Sequence, residues 1–358
     1  VMFDLVLNHV HEDHTWVQQH PEWFGDGCVC GSDGCGWEER PLDCWFTGYL
    51  PDLDYRNPWI VEQQLADTLR LVETYDADAV RVDAAKHMDH VIMRGLKKGL
   101  RSAFERNGGA PFYVVGETFT GGEGHGDIMN YVNPDELDGQ FDFPLFWSIR
   151  DAFARGGSFL SLEAKVAQGQ AAYGDATMSP FLGNHDIPRF ATEAAGNDDG
   201  PWGWTEDWMA GGGDQVNQWD LINRASMGLA FTLTQPGVPL LYYGDEIGLA
   251  GAGDPDNRRF MSFAPTLSAN QQELLSRVEA IGQARASSKA LRRGDRRQLW
   301  ADDDLLVYAL VEGDDVAIVA MNKGWDTRQA AVPVGDLLDD GDVLGDRIHP
   351  ERSITVAN

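Results

Sequence analysis

The chain has 358 residues, enough for one large domain and a smaller companion, and for a sizeable core without staples. Its 57 Asp and Glu against 28 Lys and Arg leave a net charge of −29, which excludes nucleic acid as a partner, because phosphate binding needs a basic footprint. No apolar run is long enough to cross a bilayer, so no membrane partner is expected; a neutral polymer would meet no repulsion from this acidic surface.

Residues 1–8 read as a buried strand ending in Asn8-His9. The chain opens inside that strand, so the expectation is a piece of a longer protein that lacks its N-terminal portion. Residues 10–57 mix polar and aromatic residues with many Gly and Asp, and read as a long irregular excursion, a kind of loop that usually carries function. All four cysteines, Cys28, Cys30, Cys35 and Cys44, lie inside it. Their spacing departs from the paired C-x₂-C pattern of structural zinc, so two disulfides are expected, with three pairings open. Disulfides imply an oxidising compartment, secreted or periplasmic. Asn57 as cap and Pro58 at the first helical position then start a helix with an apolar face of Leu65, Leu69 and Val72.

From Ala77 the pattern alternates strand and helix. Strand Ala79–Asp83 precedes a helix over about 90–106 that stops at Asn107-Gly108-Gly109. Strands follow at Phe112–Gly116, Gly139–Phe143, Thr177–Leu182 and Val238–Tyr243, with helices near 145–155, 158–172 and 217–234. Repeated β–α units with buried strands indicate a parallel sheet. Polar motifs recur at the C-terminal ends of most of these strands, where (β/α)₈ barrels place their chemistry; a doubly wound sheet would gather its ligand at one switch point. Six strands are countable, so a TIM barrel with its first two strands missing from this chain is the expected architecture. Beyond a helix at about 268–288, alternating runs at Arg297–Leu299, Leu305–Leu310 and Val316–Met321, separated by Asp/Gly turns, indicate antiparallel strands. The expected domains are a partial barrel over 1–9 and 58–291, an inserted loop-rich domain over 10–57, and a C-terminal β-sandwich over 292–358 whose end lacks a closing turn.

Two carboxyl groups stand at adjacent strand ends. In a strand, residues two apart share a face, so Arg81 points with Asp83 and holds that carboxylate ionised, as a nucleophile requires. Glu117 ends the apolar run Pro111-Phe-Tyr-Val-Val-Gly116, and apolar surroundings keep a carboxyl protonated and fit to donate. One acid kept charged and one kept neutral is the pairing that retaining glycoside hydrolysis uses.

The stretch Val80-Arg81-Val82-Asp83-Ala84-Ala85-Lys86-His87 resembles the nucleophile motif of the α-amylase family of glycoside hydrolases. Asp4-Leu-Val-Leu-Asn-His9, Gly116-Glu117 and Leu182-Gly-Asn-His-Asp186 match the same family in the right order, with Leu50-Pro-Asp-Leu-Asp54 between the first two. The resemblance runs from residue 1 to about 290 and loosely beyond. It implies Asp83 as nucleophile, Glu117 as acid/base and Asp186 as transition-state stabiliser. It also implies sugar-binding roles for His9, Arg81, Lys86, His87 and His185, and for Asp254 and Arg258 in Asp254-Pro-Asp-Asn-Arg258. It further implies a calcium ion held by Asn8, Asp52 and the His87 carbonyl, with a further, unassigned ligand from within 36–48, where Glu39 and Asp43 are candidates.

The expected activity is retaining cleavage of α-1,4 bonds in starch-like α-glucans, most simply as an α-amylase. A cyclomaltodextrinase or α-glucosidase acting on short maltodextrins is the alternative. A non-catalytic glycan-binding relative is a more distant one, set aside because all three carboxylates are present. A metal-dependent amidohydrolase built on His9-Val-His11 and His14 would need further imidazoles at later strand ends, where only His185 occurs. Trp45, Tyr49, Trp202, Trp204 and Trp208 are the aromatics available to stack on sugars, and none is singled out. The sequence sets no oligomeric state.

Overall fold

The computed structural model describes residues 1–105, 109–196 and 219–357. The chain divides into two compact units: Val1–Phe143 with Ala172–Met178, and Pro144–Ala171 with Ser179–Asn358.

The first unit is built on a parallel sheet of β1 (Met2–Leu5), β2 (Ala79–Val82), β3 (Tyr113–Gly116) and β4 (Gly139–Gln140), lying side by side in chain order. Buried strands in register need side chains that fit both faces, and β2 is buried at all of its positions. Val80, Val82 and Val114 pack with Ile60, Val72, Ile92, Leu96 and Leu137 in one apolar cluster. The helix Pro58–Tyr75 starts as its sequence indicates: Asn57 Oδ1 accepts from the Trp59 amide at 3.1 Å, and Pro58 occupies the first turn. Asp89 caps the helix His90–Leu100 in the same way, accepting from the Val91 amide at 2.8 Å. That helix runs on as a wider turn over Arg101–Glu105. Of its expected stop, Asn107 and Gly108 lie outside the described residues.

Residues 10–57 hold little regular structure beyond short helical turns at Thr15–Gln19 and Pro21–Trp23 and isolated bridges. Two disulfides, Cys28–Cys35 and Cys30–Cys44, settle the open pairing and exclude a cysteine metal site there. The excursion returns to the strand end from which it left. Val10 N donates to the Pro51 carbonyl at 3.2 Å, Leu53 N to the Asn8 carbonyl at 2.9 Å, and the buried Tyr55 hydroxyl to the Leu7 carbonyl.

The second unit is mostly helical around Phe153, Phe159, Leu182, Phe190, Leu229, Phe231 and Leu274. Here the strand expectations need correction. The stretches 177–182 and 238–243 form a single parallel bridge, Phe181↔Leu240, in place of two full strands. Pro180 and Pro239 have no amide hydrogen to give to a ladder, and the Leu240 amide donates to the Pro180 carbonyl at 2.9 Å. The start of the expected helix 217–234 lies outside the described residues, and Trp219–Leu233 is helical. The helix Ala269–Ser287 is capped reciprocally by Ser268 and Gln271.

C-terminal strands β5 (Asp295–Ala301), β6 (Leu305–Glu312) and β7 (Asp315–Asn322) form an antiparallel meander, and β8 (Val343–Gly345) pairs with β9 (Ser353–Thr355) in a separate two-stranded sheet. Leu306, Tyr308 and Leu310 of β6 belong to the same apolar cluster as Phe153 and Phe231. The buried Tyr308 hydroxyl meets Thr234 and Gln235, which satisfies all three polar groups. No helix among the described residues is long and apolar enough to cross a membrane.

Candidate active site

Parallel pairing aligns Leu5 with Val82 and Val82 with Gly116, so the next residues along the sheet edge are Asp83 and Glu117. Backbone bonds continue the ladder past the strands: Asp83 N donates to the Leu5 carbonyl at 3.0 Å and Glu117 N to the Val82 carbonyl at 2.9 Å. Gly116 lets the strand end pack closely, since a Cβ there would sit 2.3 Å from a Leu137 methyl and push that side chain aside. Ala84 follows Asp83 in the left-handed region at φ 51°, a conformation that non-glycine residues adopt at some cost.

Arg81 organises the two acids. It lies directly across from Asp4 in the register, and Nη1 donates to both Asp4 oxygens at 2.7 and 2.8 Å. The same Nη1 is 2.8 Å from Asp83 Oδ1, and Nη2 is 2.7 Å from Glu117 Oε2. The expected Arg81–Asp83 pair is therefore present. The expectation that Glu117 stands in apolar surroundings alone is corrected: although buried, it shares the guanidinium with Asp83. Three carboxylates around one guanidinium use its planar fork of donors, an arrangement a point-charge ammonium cannot reproduce. Those partners hold Arg81 charged against the burial that opposes it.

His9 packs against Phe46 at 5.2 Å, and burial lowers its pKa while the neighbouring Asp83 charge works the other way. His87 is buried deeper. Its Nδ1 lies 2.9 Å from the Pro41 carbonyl, which fixes that nitrogen as the donor, and its ring meets the edges of Phe46 and Trp37. Burial pushes its pKa down to about 4, so the ring is neutral. The structure thus ties the His87 ring to the 10–57 excursion. Lys86 is partly exposed, its Nζ 3.9 Å from Glu38.

Asn8 and Asp52 are 1% and 2% exposed, and the Oδ1 atom of each has no hydrogen-bond partner. Burial pushes Asp52 up to about 9, with a hydrogen bond from Asn8 opposing. Two buried oxygens without donors, one on a carboxylate, are what a hard cation seeks, so these residues fit calcium. Neither proposed further ligand is unengaged: Glu39 accepts from the Gly36 amide at 3.3 Å, and both Asp43 oxygens accept from Arg40 at 3.0 and 2.9 Å. The three histidines of the rival metal reading do not converge. His11 Nδ1 accepts from the Asp13 amide, and His14 caps the short helix by accepting from Trp16. Among the described residues no group of three or more His, Cys, Asp or Glu side chains is placed to hold a metal.

In the second unit, the turn after Leu182 carries His185 and Asp186. Asn184 Oδ1 accepts from the Asp186 amide at 3.0 Å, and His185 Nε2 lies 3.3 Å from Asp186 Oδ1. Arg258 reaches the same turn: Nη2 is 3.7 Å from Asp186 Oδ1, and Nε donates to the His185 carbonyl at 3.1 Å. Asp254 pairs with that Arg258 Nε at 3.1 Å. The four residues predicted for this region therefore meet, with Asp186 about one-third exposed at 34% and open to a ligand.

Sequence reasoning missed Asp4 and Asn257 as supports. Asp4 stood inside a recognised motif, but its partner depends on strand register, which no local pattern reveals. Asn257 lay between Asp254 and Arg258 and was passed over because its partners are backbone carbonyls. Among the stacking candidates, Trp202, Trp204 and Trp208 lie outside the described residues. The Trp45 indole nitrogen is buried, and Tyr49 is 51% exposed beside His11.

Residues 37–294 match the family model of the alpha-amylase catalytic domain, and residues 296–358 match the neopullulanase-like C-terminal domain. The beta/alpha-amylase of Paenibacillus polymyxa is 28% identical over 358 residues, which cover 97% of this chain and 27% of that protein. The cyclomaltodextrin glucanotransferase of Bacillus licheniformis is 29% identical over 303 residues, 83% of this chain and 37% of that one. The chain thus spans about a quarter to two-fifths of the length of these relatives. The solved α-amylase of Geobacillus thermoleovorans, complexed with acarbose, superposes with a TM-score of 0.82 at 24% identity, covering 100% of this chain and 73% of that one. Together with the parallel sheet and the antiparallel C-terminal sheets, these matches make the fold that of the TIM-barrel amylases.

Proposed function

Because the chain belongs to the α-amylase family of glycoside hydrolases, we propose that the full-length protein cleaves α-1,4-glucosidic bonds of starch-like glucans with retention. The observation that carries this reading is the guanidinium shared by Asp83 and Glu117 at 2.8 and 2.7 Å, because retention needs two carboxyl groups close together. Asp83 attacks the anomeric carbon while Glu117, which must take up a proton on substrate binding because Arg81 favours its charged form, gives that proton to the departing glycosidic oxygen. A covalent glycosyl ester on Asp83 results. Glu117, now a carboxylate, takes a proton from water, which attacks the same carbon and frees Asp83. Asp186 stabilises the charge that develops on the ring. His9, Arg81, Lys86, His185, Asp254 and Arg258 bind sugar hydroxyls, and His87 supports them from its buried position.

This reading includes the division into barrel (1–9 and 58–291), insert (10–57) and C-terminal β domain (292–358), and export to an oxidising compartment, which the two disulfides support. Calcium would be held by Asn8, Asp52 and the His87 carbonyl. When bound it supplies charge to two stranded oxygens and ties the insert to the β1 end. At calcium 100 times its Kd, unfolding is expected to cost about 2.7 kcal/mol more than after chelation. Thermal melts check this, and an Asp52→Ala variant should show no calcium response.

A second reading, transfer to a sugar in place of water, is favoured by the likeness to a glucanotransferase. Chromatography of products from amylose, short maltodextrins and cyclic dextrins separates the possibilities. Linear oligosaccharides of retained α configuration are expected. Cyclic products would instead establish transfer, preferential opening of cyclic dextrins would establish a cyclomaltodextrinase, and β-configured products would overturn the retaining mechanism.

A further inference from the structure

We infer that Asn257 is a positioning residue for Asp186, holding the Asn184–Ile187 turn by bracketing it from outside. The inference rests on the role proposed above for Asp186. Asn257 is fully buried, at 0% exposure. Its Nδ2 donates to the His185 carbonyl at 2.7 Å and to the Ile187 carbonyl at 2.8 Å, the two residues that flank Asp186. Both partners are acceptors, so the amide orientation is fixed by them. The two hydrogens of a side-chain amide are coplanar and diverge, so one group spans two carbonyls two residues apart and sets the direction of the residue between. Inside the turn, Asn184 holds the Asp186 amide at 3.0 Å, so the backbone of Asp186 is gripped from both sides.

Asn257 is itself immobilised. Its carbonyl accepts from Arg189 Nε at 2.8 Å, and Arg189 is 1% exposed, 3.2 Å from Asp245 Oδ1 and 3.9 Å over the Tyr242 ring. This gives a rigid chain from the buried Arg189 through Asn257 to the turn. The adjacent Arg258 reaches Asp186 directly, so one short segment presents a side chain to the carboxylate and supports its backbone at once. No atom of Asn257 needs to touch substrate for this role.

The test is a double-mutant cycle in the full-length protein with an activated aryl maltoside. Asn257→Ala should lower kcat about 100-fold with KM little changed, the scale of a 1 Å misplacement. In an Asp186→Asn background the same substitution should change kcat less than about twofold, because the residue it positions is already disabled. An equal loss in both backgrounds, or none in either, overturns the inference. Thr192→Val is the stability control. It removes the Thr192 bonds to the Gly251 carbonyl and amide, at 2.8 and 2.9 Å, and leaves the bracket intact. It should lower the melting temperature without lowering kcat in proportion, and a matching loss of kcat would overturn the inference too. Should Asn257→Ala fail to fold, Asn257→Asp enters the same cycle, its carboxylate facing two carbonyls without a donor. Should Asp186→Asn alone keep wild-type turnover, the proposed function fails and not the bracket. Faster amide exchange at Asp186 and Ile187 in the Asn257 variant, unmatched in Thr192→Val, would still support the bracket, and unchanged exchange would refute it.

Discussion

Replacing Asp83 by Asn is expected to lower kcat by about 10⁴-fold or more, while the Kd for a maltooligosaccharide stays within about threefold. The amide has nearly the shape of the carboxylate and cannot form the glycosyl ester, so the loss falls on the chemical step and spares binding. The pairing geometry makes the substitution mild for the fold. Arg81 Nη1 keeps both Asp4 oxygens, and the Asp83 amide keeps its bond to Leu5. Single-turnover kinetics alongside calorimetric binding check the split, and wild-type turnover in Asp83→Asn would refute the mechanism.

The second large effect is expected at Arg81. Arg81→Met leaves Asp83 and Glu117 without the cation that stands 2.8 and 2.7 Å from them, and both are mostly buried, at 20% and 9% exposure. Removing one partner of a buried ion pair costs about 3–5 kcal/mol, because the charges left behind lose the cation that offset their burial. The partly exposed Asp4, at 54%, adds little to that sum. A fall in kcat of about 10³-fold should accompany the loss of stability, since the two acids lose the group that fixes their spacing. Arg81→Lys should recover part of the stability but little of the rate: an ammonium keeps the charge without the planar fork. Urea unfolding and kcat on the same preparations test both statements. A stability change below about 1 kcal/mol for Arg81→Met would show that Arg81 does not carry this cluster.

Much of this arrangement was legible in the sequence because it is local. Arg81 and Asp83 share a strand face whatever the fold, and Asn57-Pro58 begins a helix for reasons contained in those two residues. The pairing of Asp83 with Glu117 needed one further step, that consecutive β–α units lie side by side in a parallel sheet. What escaped was set by register and by backbone. Asp4 meets Arg81 only because Met2 aligns with Ala79. The prolines at 180 and 239 were visible, yet the apolar pattern around them outweighed their missing donors. Only the expected surroundings of Glu117 needed correction, for a related reason: its own strand is apolar, but the cation arrives from the neighbouring one. Four nearby cysteines pointed to disulfides and gave no basis for choosing among the pairings.

That pairing carries a topological consequence. The links at 28–35 and 30–44 overlap, so every peptide bond between Cys30 and Cys35 lies within two covalent rings at once. A single protease nick there severs the polypeptide without releasing either piece, since each flank remains bolted to the other. Only a reductant acting together with the nick would let that segment come apart.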